Sequence, residues 1–195
     1  MGSNRGRQVT FEKVLGMMED MRLMMNDSQS LTIVETGTIR YDVPPPYPDG
    51  HSARLFGKFV AEKGGNFYSI DNDKEAVKVC QRIMDREYPE AKNIHIVHSD
   101  SLKFLENFGW PIDVLYLDSA NDAKLILNEA KTAISNLHRN SIILIDDVTA
   151  HHSGMALRKG ELVIPYLEKQ GWISIITLYQ ALYVRENSDW ATNGL

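Results

Sequence analysis

Acidic residues follow several short apolar runs in this chain, at the positions where buried strands would end. These residues are Glu35, Asp71, Asp100, Asp118, Asp146 and Asp147. Carboxylate oxygens accept hydrogen bonds from the hydroxyl and amino groups of ligands, and they also bind cations. The spacing therefore predicts a ligand-binding edge to which several carboxylates contribute.

Three of these carboxylates belong to Asp118, Asp146 and Asp147, which follow two runs expected to form neighbouring strands about 5 Å apart. Carboxylates gathered in one crevice repel each other unless they are protonated or neutralised, and a hard divalent cation prefers oxygen ligands. The pattern favours a Mg²⁺ site, or a site for another divalent cation, beside the reacting groups. The alternative is a pair of polar turns in which the aspartates cap helices.

Two adjacent histidines, His151 and His152, follow the acidic pair in what we expect to be a loop. A neutral imidazole there would take a proton from a substrate hydroxyl near physiological pH, so either histidine is a candidate catalytic base. Neighbouring loop histidines are also commonly exposed and inert, and this alternative stays open.

The elements that position these residues are predicted from five apolar runs that alternate with helical stretches. The predicted strands cover 31–35, 67–71, 94–97, 112–118 and 141–146, and the predicted helices cover 52–62, 73–87, 101–107, 120–137 and 155–170. Buried strands separated by helices indicate a parallel sheet with helices on both faces. Ligands of such sheets bind at the carboxyl ends of the strands, where the acidic residues stand.

The end of the chain follows a different pattern. Strand-like runs at 172–178 and 181–185 are separated only by Tyr179 and Gln180, which is too short a link for a parallel crossover. The two runs must form an antiparallel hairpin. The predicted fold class is thus α/β, a Rossmann-like doubly wound sheet of seven strands that is mostly parallel and ends in that hairpin.

Length and composition fit one globular domain, since 195 residues with 43% hydrophobic residues can bury one sizeable core. We expect an N-terminal extension with an amphipathic helix at 1–30, a main domain at 31–187 and a C-terminal tail at 188–195. The helix is predicted from an apolar stripe between Phe11 and Met25, in steps of three and four. The stripe should pack on the domain, and an exposed stripe would suit a homodimer.

The charge balance indicates a small-molecule partner. A net charge of −5 argues against nucleic acid and against an anionic membrane surface. Cys80 is the only cysteine, which excludes an intramolecular disulfide and fits a cytoplasmic location. No segment approaches the roughly 18 apolar residues of a membrane span, and residues 1–8 lack the apolar core of an export signal.

Over about 31–185 the chain resembles the class I S-adenosylmethionine-dependent methyltransferases, in its hairpin-ended sheet and in Glu35-Thr36-Gly37 after the first strand. The resemblance implies S-adenosylmethionine as the cofactor. The resemblance implies Glu35 and Gly37 as ligands of the methionine part, Asp71 as a ligand of the ribose and Asp100 as a ligand of the adenine. Further expected cofactor contacts are Thr38, Ser52, Asn72, Ser101 and Asp118, and residues 49–52 are expected to complete the cofactor loop. Asp73 is expected to cap a helix, and Asp100 fits that role as well as adenine binding.

The acidic trio is similar to the metal site of cation-dependent O-methyltransferases, which include the catechol, caffeoyl-coenzyme A and macrocin-type sugar enzymes. The Asp146-Asp147 pair favours the macrocin-type branch. In the catechol enzymes a lysine base stands three residues after the first metal aspartate, and here that position is Asn121. The resemblance implies divalent-metal-dependent O-methylation of a small hydroxylated acceptor, either sugar or phenol-like.

Other functions stay open at this point. A metal-independent methyltransferase and a non-catalytic cofactor-binding protein would both keep the fold. A nicotinamide-dependent oxidoreductase is disfavoured, because the turn at Gly37 lacks the Gly-x-Gly-x-x-Gly spacing. The acceptor pocket is expected to involve the N-terminal helix and a proline-rich insertion at 40–50. Aromatic residues that would line it, or simply pack, are Tyr41, Tyr47, Trp110 and Trp190.

Overall fold

A computed structural model describes residues 2–26, 29–43, 51–148, 151–152, 155–156, 159–177 and 179–192. The strands are β1 (Thr32–Thr36), β2 (Asn66–Asp71), β3 (Ile94–His98), β4 (Ile112–Leu117), β5 (Leu137–Ile145), β6 (His151–His152), β7 (Met155–Ala156), β8 (Trp172–Thr177) and β9 (Ala181–Arg185). The helices are α1 (Gly2–Met24), α2 (His51–Lys63), α3 (Lys74–Glu87), α4 (Ser101–Asn107), α5 (Ala123–Ala133), α6 (Gly160–Lys169) and α7 (Asp189–Thr192). Within these residues, no helix is long and apolar enough to cross a membrane.

Seven of the strands form one mixed sheet in the order β3-β2-β1-β4-β5-β9-β8. The strands from β3 to β5 are parallel, and β9 runs antiparallel to both β5 and β8. Central strands β1 and β4 are buried along their whole length, as expected where helices cover both faces of a sheet. The predicted α/β fold with its C-terminal hairpin is confirmed.

The boundaries differ from the sequence prediction at three places after β4. Helix α5 covers only Ala123–Ala133 of the predicted 120–137. Strand β5 begins at Leu137 instead of 141, because Leu137 already pairs with Ile112 across a register irregularity. Helix α6 begins only at Gly160, so the helix predicted from 155 is wrong for its first turn. There the chain forms β7, whose backbone pairs with β6 in a two-stranded ribbon.

The N-terminal stripe packs into the main core, as the core-facing interpretation requires. Val14 and Met18 are fully buried, and Phe11 makes edge contacts with the rings of Phe56 and Tyr116 at centroid distances of 6.0 and 5.8 Å. Trp190 of α7 joins the same buried cluster from the other end of the chain. Both ends of the described chain therefore stabilise one face of the sheet.

The amino edge of the sheet carries a buried carboxylate of its own. Asp113 accepts hydrogen bonds from the backbone N–H of Thr32 at 2.7 Å and from His138 Nε2 at 2.9 Å. Trp110 and Trp190 line a cavity of about 780 Å³ beside this group. The expectation that these tryptophans line an acceptor pocket is wrong, because they lie at the opposite edge from the carboxyl ends of the strands.

Replacing Asp113 should test the stabilising role of this carboxylate. Asp113→Ala leaves the buried N–H of Thr32 without its acceptor, so the free energy of unfolding should fall by about 1–3 kcal/mol in urea denaturation. Asp85→Ala, at an exposed position on α3, is the control and should change that energy by less than about 0.5 kcal/mol. Equal stability of the two variants would contradict the assignment.

Candidate active site at the carboxyl edge of the sheet

The polar residues after the strands are aligned by backbone hydrogen bonds that continue the sheet beyond its last paired residues. Each bond runs from the N–H of a turn residue to a carbonyl of the neighbouring strand, at 2.7–3.1 Å. The pairs are Gly37 to Ile70, Asp118 to Thr36, Asp146 to Leu117, and Ser99 to Asp71. Each bond fixes the first residue of a turn against the neighbouring strand. The turns that follow β1 to β5 therefore form one continuous edge.

The turn after β1 needs glycine for two reasons. Gly37 has a φ of +90°, a conformation that disfavours residues with a Cβ. A Cβ at this position would also lie 2.5 Å from the carbonyl oxygen of Asp118. The close approach of the two turns brings the ends of β1 and β4 together at the centre of the edge.

Glu35 is buried directly below this turn, with 1% of its surface exposed. Its carboxylate accepts hydrogen bonds from Ser52 Oγ at 2.5 Å and from Ser69 Oγ at 2.7 Å. Burial raises the pKa of Glu35 to about 7, although the two serine hydrogen bonds oppose the shift. Ser52 thus links the start of α2 to the end of β1, and its role in the cofactor loop stays a prediction.

The raised pKa of Glu35 should make stability depend on pH. The folded chain keeps this proton up to about pH 7 while the unfolded chain loses it near pH 4.5, so ionisation destabilises the folded state as the pH rises between these values. Over this range the natural chain should lose on the order of 3 kcal/mol in its free energy of unfolding. Glu35→Gln cannot ionise and should not show this loss.

Urea denaturation of Glu35→Gln and the natural chain at pH 5 and pH 8 measures this difference. Glu90→Gln, at an exposed position, is the control and should leave the pH dependence unchanged. A difference between Glu35→Gln and the natural chain that is the same at both pH values would contradict the buried, protonated carboxyl group.

The carboxylate of Asp71 at the end of β2 is oriented by two backbone amides. The N–H of Asp73 donates to Oδ1 at 2.8 Å, and the N–H of Thr38 donates to Oδ2 at 3.2 Å. A carboxylate oxygen accepts more than one hydrogen bond, so both oxygens keep the capacity to bind a ligand. The side chain is half-buried and that of Asn72 is exposed, which places both at the rim.

Two of the predicted helix caps are present. Asp73 accepts a hydrogen bond from the N–H of Glu75 at 2.8 Å at the start of α3, and Asp100 accepts one from Lys103 at 2.9 Å at the start of α4. The capping role of Asp100 is therefore confirmed. Its role in adenine binding, together with that of Ser101, stays a prediction.

The acidic trio of Asp118, Asp146 and Asp147 comes together at the ends of β4 and β5. One carboxylate oxygen of each residue lies within 4.8 Å of the others. Asp147 has a φ of +51°, a conformation that is uncommon for a residue with a side chain and that often marks functional sites. The structure thus brings the three predicted metal ligands together.

A lysine that sequence reasoning missed lies against this trio. Lys159, the residue before α6, is 2% exposed, and its Nζ lies 2.5 Å from Asp118 Oδ1 and 3.7 Å from Asp147 Oδ2. Burial alone would lower the pKa of Lys159, but the Asp118 carboxylate raises it above its ordinary value. The side chain is therefore an ammonium at neutral pH. The signal for it was indirect, because buried acids require basic partners from elsewhere in the chain.

The trio fits a divalent cation by the chemistry of its donors. Burial, and then the neighbouring Asp146 carboxylate, raise the pKa of Asp118 well above its ordinary value even though Lys159 opposes the shift. An additional positive charge would therefore stabilise the ionised form of Asp118. Three carboxylates offer the hard oxygen donors that a divalent cation such as Mg²⁺ prefers.

A second missed residue, Glu129 of α5, lies under the same edge. It is fully buried, and Thr36 Oγ1 donates to its Oε2 at 3.0 Å. Burial raises its pKa. The hydrogen bond between Glu129 and Thr36 connects α5 to the end of β1. Glu129 lies among the buried, apolar positions of the helix, and the apolar pattern therefore gave no signal for it.

The candidate bases are only partly placed. His151 and His152 form β6 rather than the expected loop, and their side chains lie outside the described residues. Tyr47 and most of the proline-rich insertion, residues 44–50, also lie outside them. Tyr41 is 64% exposed, so the described structure gives it no packing role.

A family model described as "Methyltransferase domain" matches residues 48–148, which is about half of the chain. The matched segment runs from α2 to the acidic pair after β5, so it contains three of the five turns at the carboxyl edge and the start of a fourth. No curated protein matches the sequence.

Solved structures share the fold at low sequence identity. CalS11, a TDP-rhamnose 3'-O-methyltransferase of calicheamicin biosynthesis, is 12% identical with a TM-score of 0.67, over 94% of this chain and 81% of that one. A Staphylococcus aureus protein assigned as a caffeoyl-CoA O-methyltransferase is 12% identical with a TM-score of 0.65, over 91% and 83%. The SAH-bound Podospora anserina methyltransferase PaMTH1 is 15% identical with a TM-score of 0.63, over 88% and 76%.

Proposed function

Because the chain belongs to the methyltransferase-domain family, we propose that it transfers the methyl group of S-adenosylmethionine to a hydroxyl oxygen of a small acceptor, either sugar or phenol-like. The observation that carries this proposal is the acidic trio at the ends of β4 and β5, with its oxygens within 4.8 Å of one another. Carboxylates at this edge would bind and orient a hydroxylated acceptor beside the cofactor.

The cofactor is expected along the carboxyl edge from β1 to β3. Asp71 would accept hydrogen bonds from both ribose hydroxyls, since two amides already hold its carboxylate in place. The remaining proposed contacts are Glu35, Gly37, Thr38 and Ser52 for the methionine part, Asn72 for the ribose, and Asp100 and Ser101 for the adenine. Gly37 lets the backbone come close to the cofactor.

The acceptor would be activated at the acidic trio. Asp118, Asp146 and Asp147 would hold a divalent cation such as Mg²⁺, which lowers the pKa of an acceptor hydroxyl when it is bound. His151 or His152 would take the hydroxyl proton. The acceptor oxygen then forms a bond to the methyl carbon as the carbon–sulfur bond breaks, and S-adenosylhomocysteine leaves with the bonding electron pair.

A second candidate is the same transfer without a metal, and the position of Lys159 favours it. An ammonium 2.5 Å from Asp118 already supplies positive charge to the trio. In that case the aspartates and the lysine would orient the acceptor by hydrogen bonds alone. Both candidates use the same cofactor and the same carboxyl edge.

The ribose assignment is tested by calorimetric titration of S-adenosylhomocysteine. Asp71→Asn should weaken binding at least tenfold, because the amide loses the charge and one acceptor oxygen; tenfold corresponds to about 1.4 kcal/mol. Asp73→Asn is a matched control two residues away, since asparagine also caps helices, and its affinity should match that of the natural chain. Unchanged affinity in Asp71→Asn would remove the ribose role.

Metal dependence is tested by S-adenosylhomocysteine release with catechol and with TDP-rhamnose as acceptors. EDTA should abolish the release and Mg²⁺ should restore it, and Asp146→Asn should lower the rate at least 100-fold through the loss of one ligand charge. Asp85→Asn, at an exposed position on α3, is the control and should keep the rate. Activity that resists EDTA but is lost in Asp146→Asn would favour the metal-independent candidate.

A further inference from the structure

Lys159 is buried in an unusual place for a lysine. It is 2% exposed, at the residue where the chain enters α6, and lysine side chains are almost never fully buried unless they are paired. Its Nζ is within hydrogen-bond distance of Asp118 Oδ1 and forms a longer ion pair with Asp147 Oδ2. The ammonium therefore contacts one aspartate that follows β4 and one that follows β5.

The same carboxylates cannot serve two cations without cost. A divalent ion held by one oxygen of each aspartate would lie close to the Lys159 ammonium, whose side chain is only 3% exposed. Like charges repel more strongly where water does not screen them. Lys159 Nζ already makes ion pairs with two of the three aspartates, Asp118 and Asp147.

We propose that Lys159 is the resident cation of the acidic trio, and that it competes with a divalent ion for Asp118 and Asp147. The proposal rests on the proposed function only in taking the trio as a cation site. Metal binding then requires the ammonium to withdraw from Asp118, and the affinity of the natural chain for metal is weakened by this exchange.

An opposite role for Lys159 predicts the opposite sign. If the lysine only held the aspartates in the correct geometry for a metal, its removal would weaken metal binding, as the loss of an outer partner of a ligand does. If it competes, its removal tightens metal binding. The direction of the change in affinity therefore separates the two roles.

The test uses Lys159→Met, which keeps the unbranched stem and removes the charge. Mn²⁺ affinity is measured by electron paramagnetic resonance and by calorimetry on the full chain. Lys159→Met should bind Mn²⁺ at least tenfold more tightly than the natural chain does. Mg²⁺ should also raise the melting temperature of Lys159→Met by more than it raises that of the natural chain. Lys169→Met, at an exposed position on the same helix, is the control and should bind as the natural chain does.

Two further variants assign the effect to the trio. In Asp118→Asn with Lys159→Met, the gain in Mn²⁺ affinity should disappear. If Lys159→Met lacks the cooperative thermal unfolding of the natural chain, Lys159→Gln replaces it, because the neutral amide still donates a hydrogen bond to Asp118. This variant should also bind Mn²⁺ more tightly.

The outcomes separate this inference from the proposed metal dependence. Mn²⁺ binding in Lys159→Met but not in the natural chain would support the proposal that Lys159 occupies the cation site. It would also contradict the metal dependence of the proposed function. Equal or weaker binding in the folded lysine variants would overturn the resident lysine and leave the metal in place. Absence of Mn²⁺ binding in all variants would overturn both, while S-adenosylhomocysteine binding would still stand.

Discussion

The concentration of carboxyl groups at one edge of a buried sheet is the constraint on which the site depends. These groups belong to Glu35, Asp71, Asp118, Asp146 and Asp147, with Glu129 below them. Three of them have different kinds of partner. Serine hydroxyls satisfy Glu35, backbone amides satisfy Asp71, and an ammonium faces Asp118. The difference in partners divides the edge into a hydrogen-bonding part at β1 and β2 and a charged part at β4 and β5.

The position of this edge follows from the burial of the strands. β1 and β4 are covered on both faces, so their middles are apolar, at Ile33-Val34 and Val114-Leu115, and their polar residues lie nearer the ends. The amino ends are used for stability, as Asp113 shows by holding Thr32 and His138. The carboxyl ends, where ligands of such sheets generally bind, carry the acidic residues of the candidate site.

The sequence predicts those parts of the structure that depend on local patterns. Apolar runs indicate the strands, a two-residue link indicates the hairpin, and Asp73 before a helical stretch indicates a cap. Contacts between distant segments leave no such pattern, and for this reason Lys159 and Glu129 were missed. Helix α6 was predicted to begin too early because the pairing of β6 with β7 is a feature of backbone hydrogen bonds and not of residue type.

The place of β9 in the sheet has a consequence for how the chain acquires its structure. β9 is the last strand in sequence, yet it lies between β5 and β8. Until residues 181–185 have left the ribosome, β5 presents an unpaired apolar edge, and such edges recruit other chains into aggregates. The sheet is therefore completed only when β9 docks between β5 and β8, and any variant that slows this docking leaves β5 open to other chains for longer.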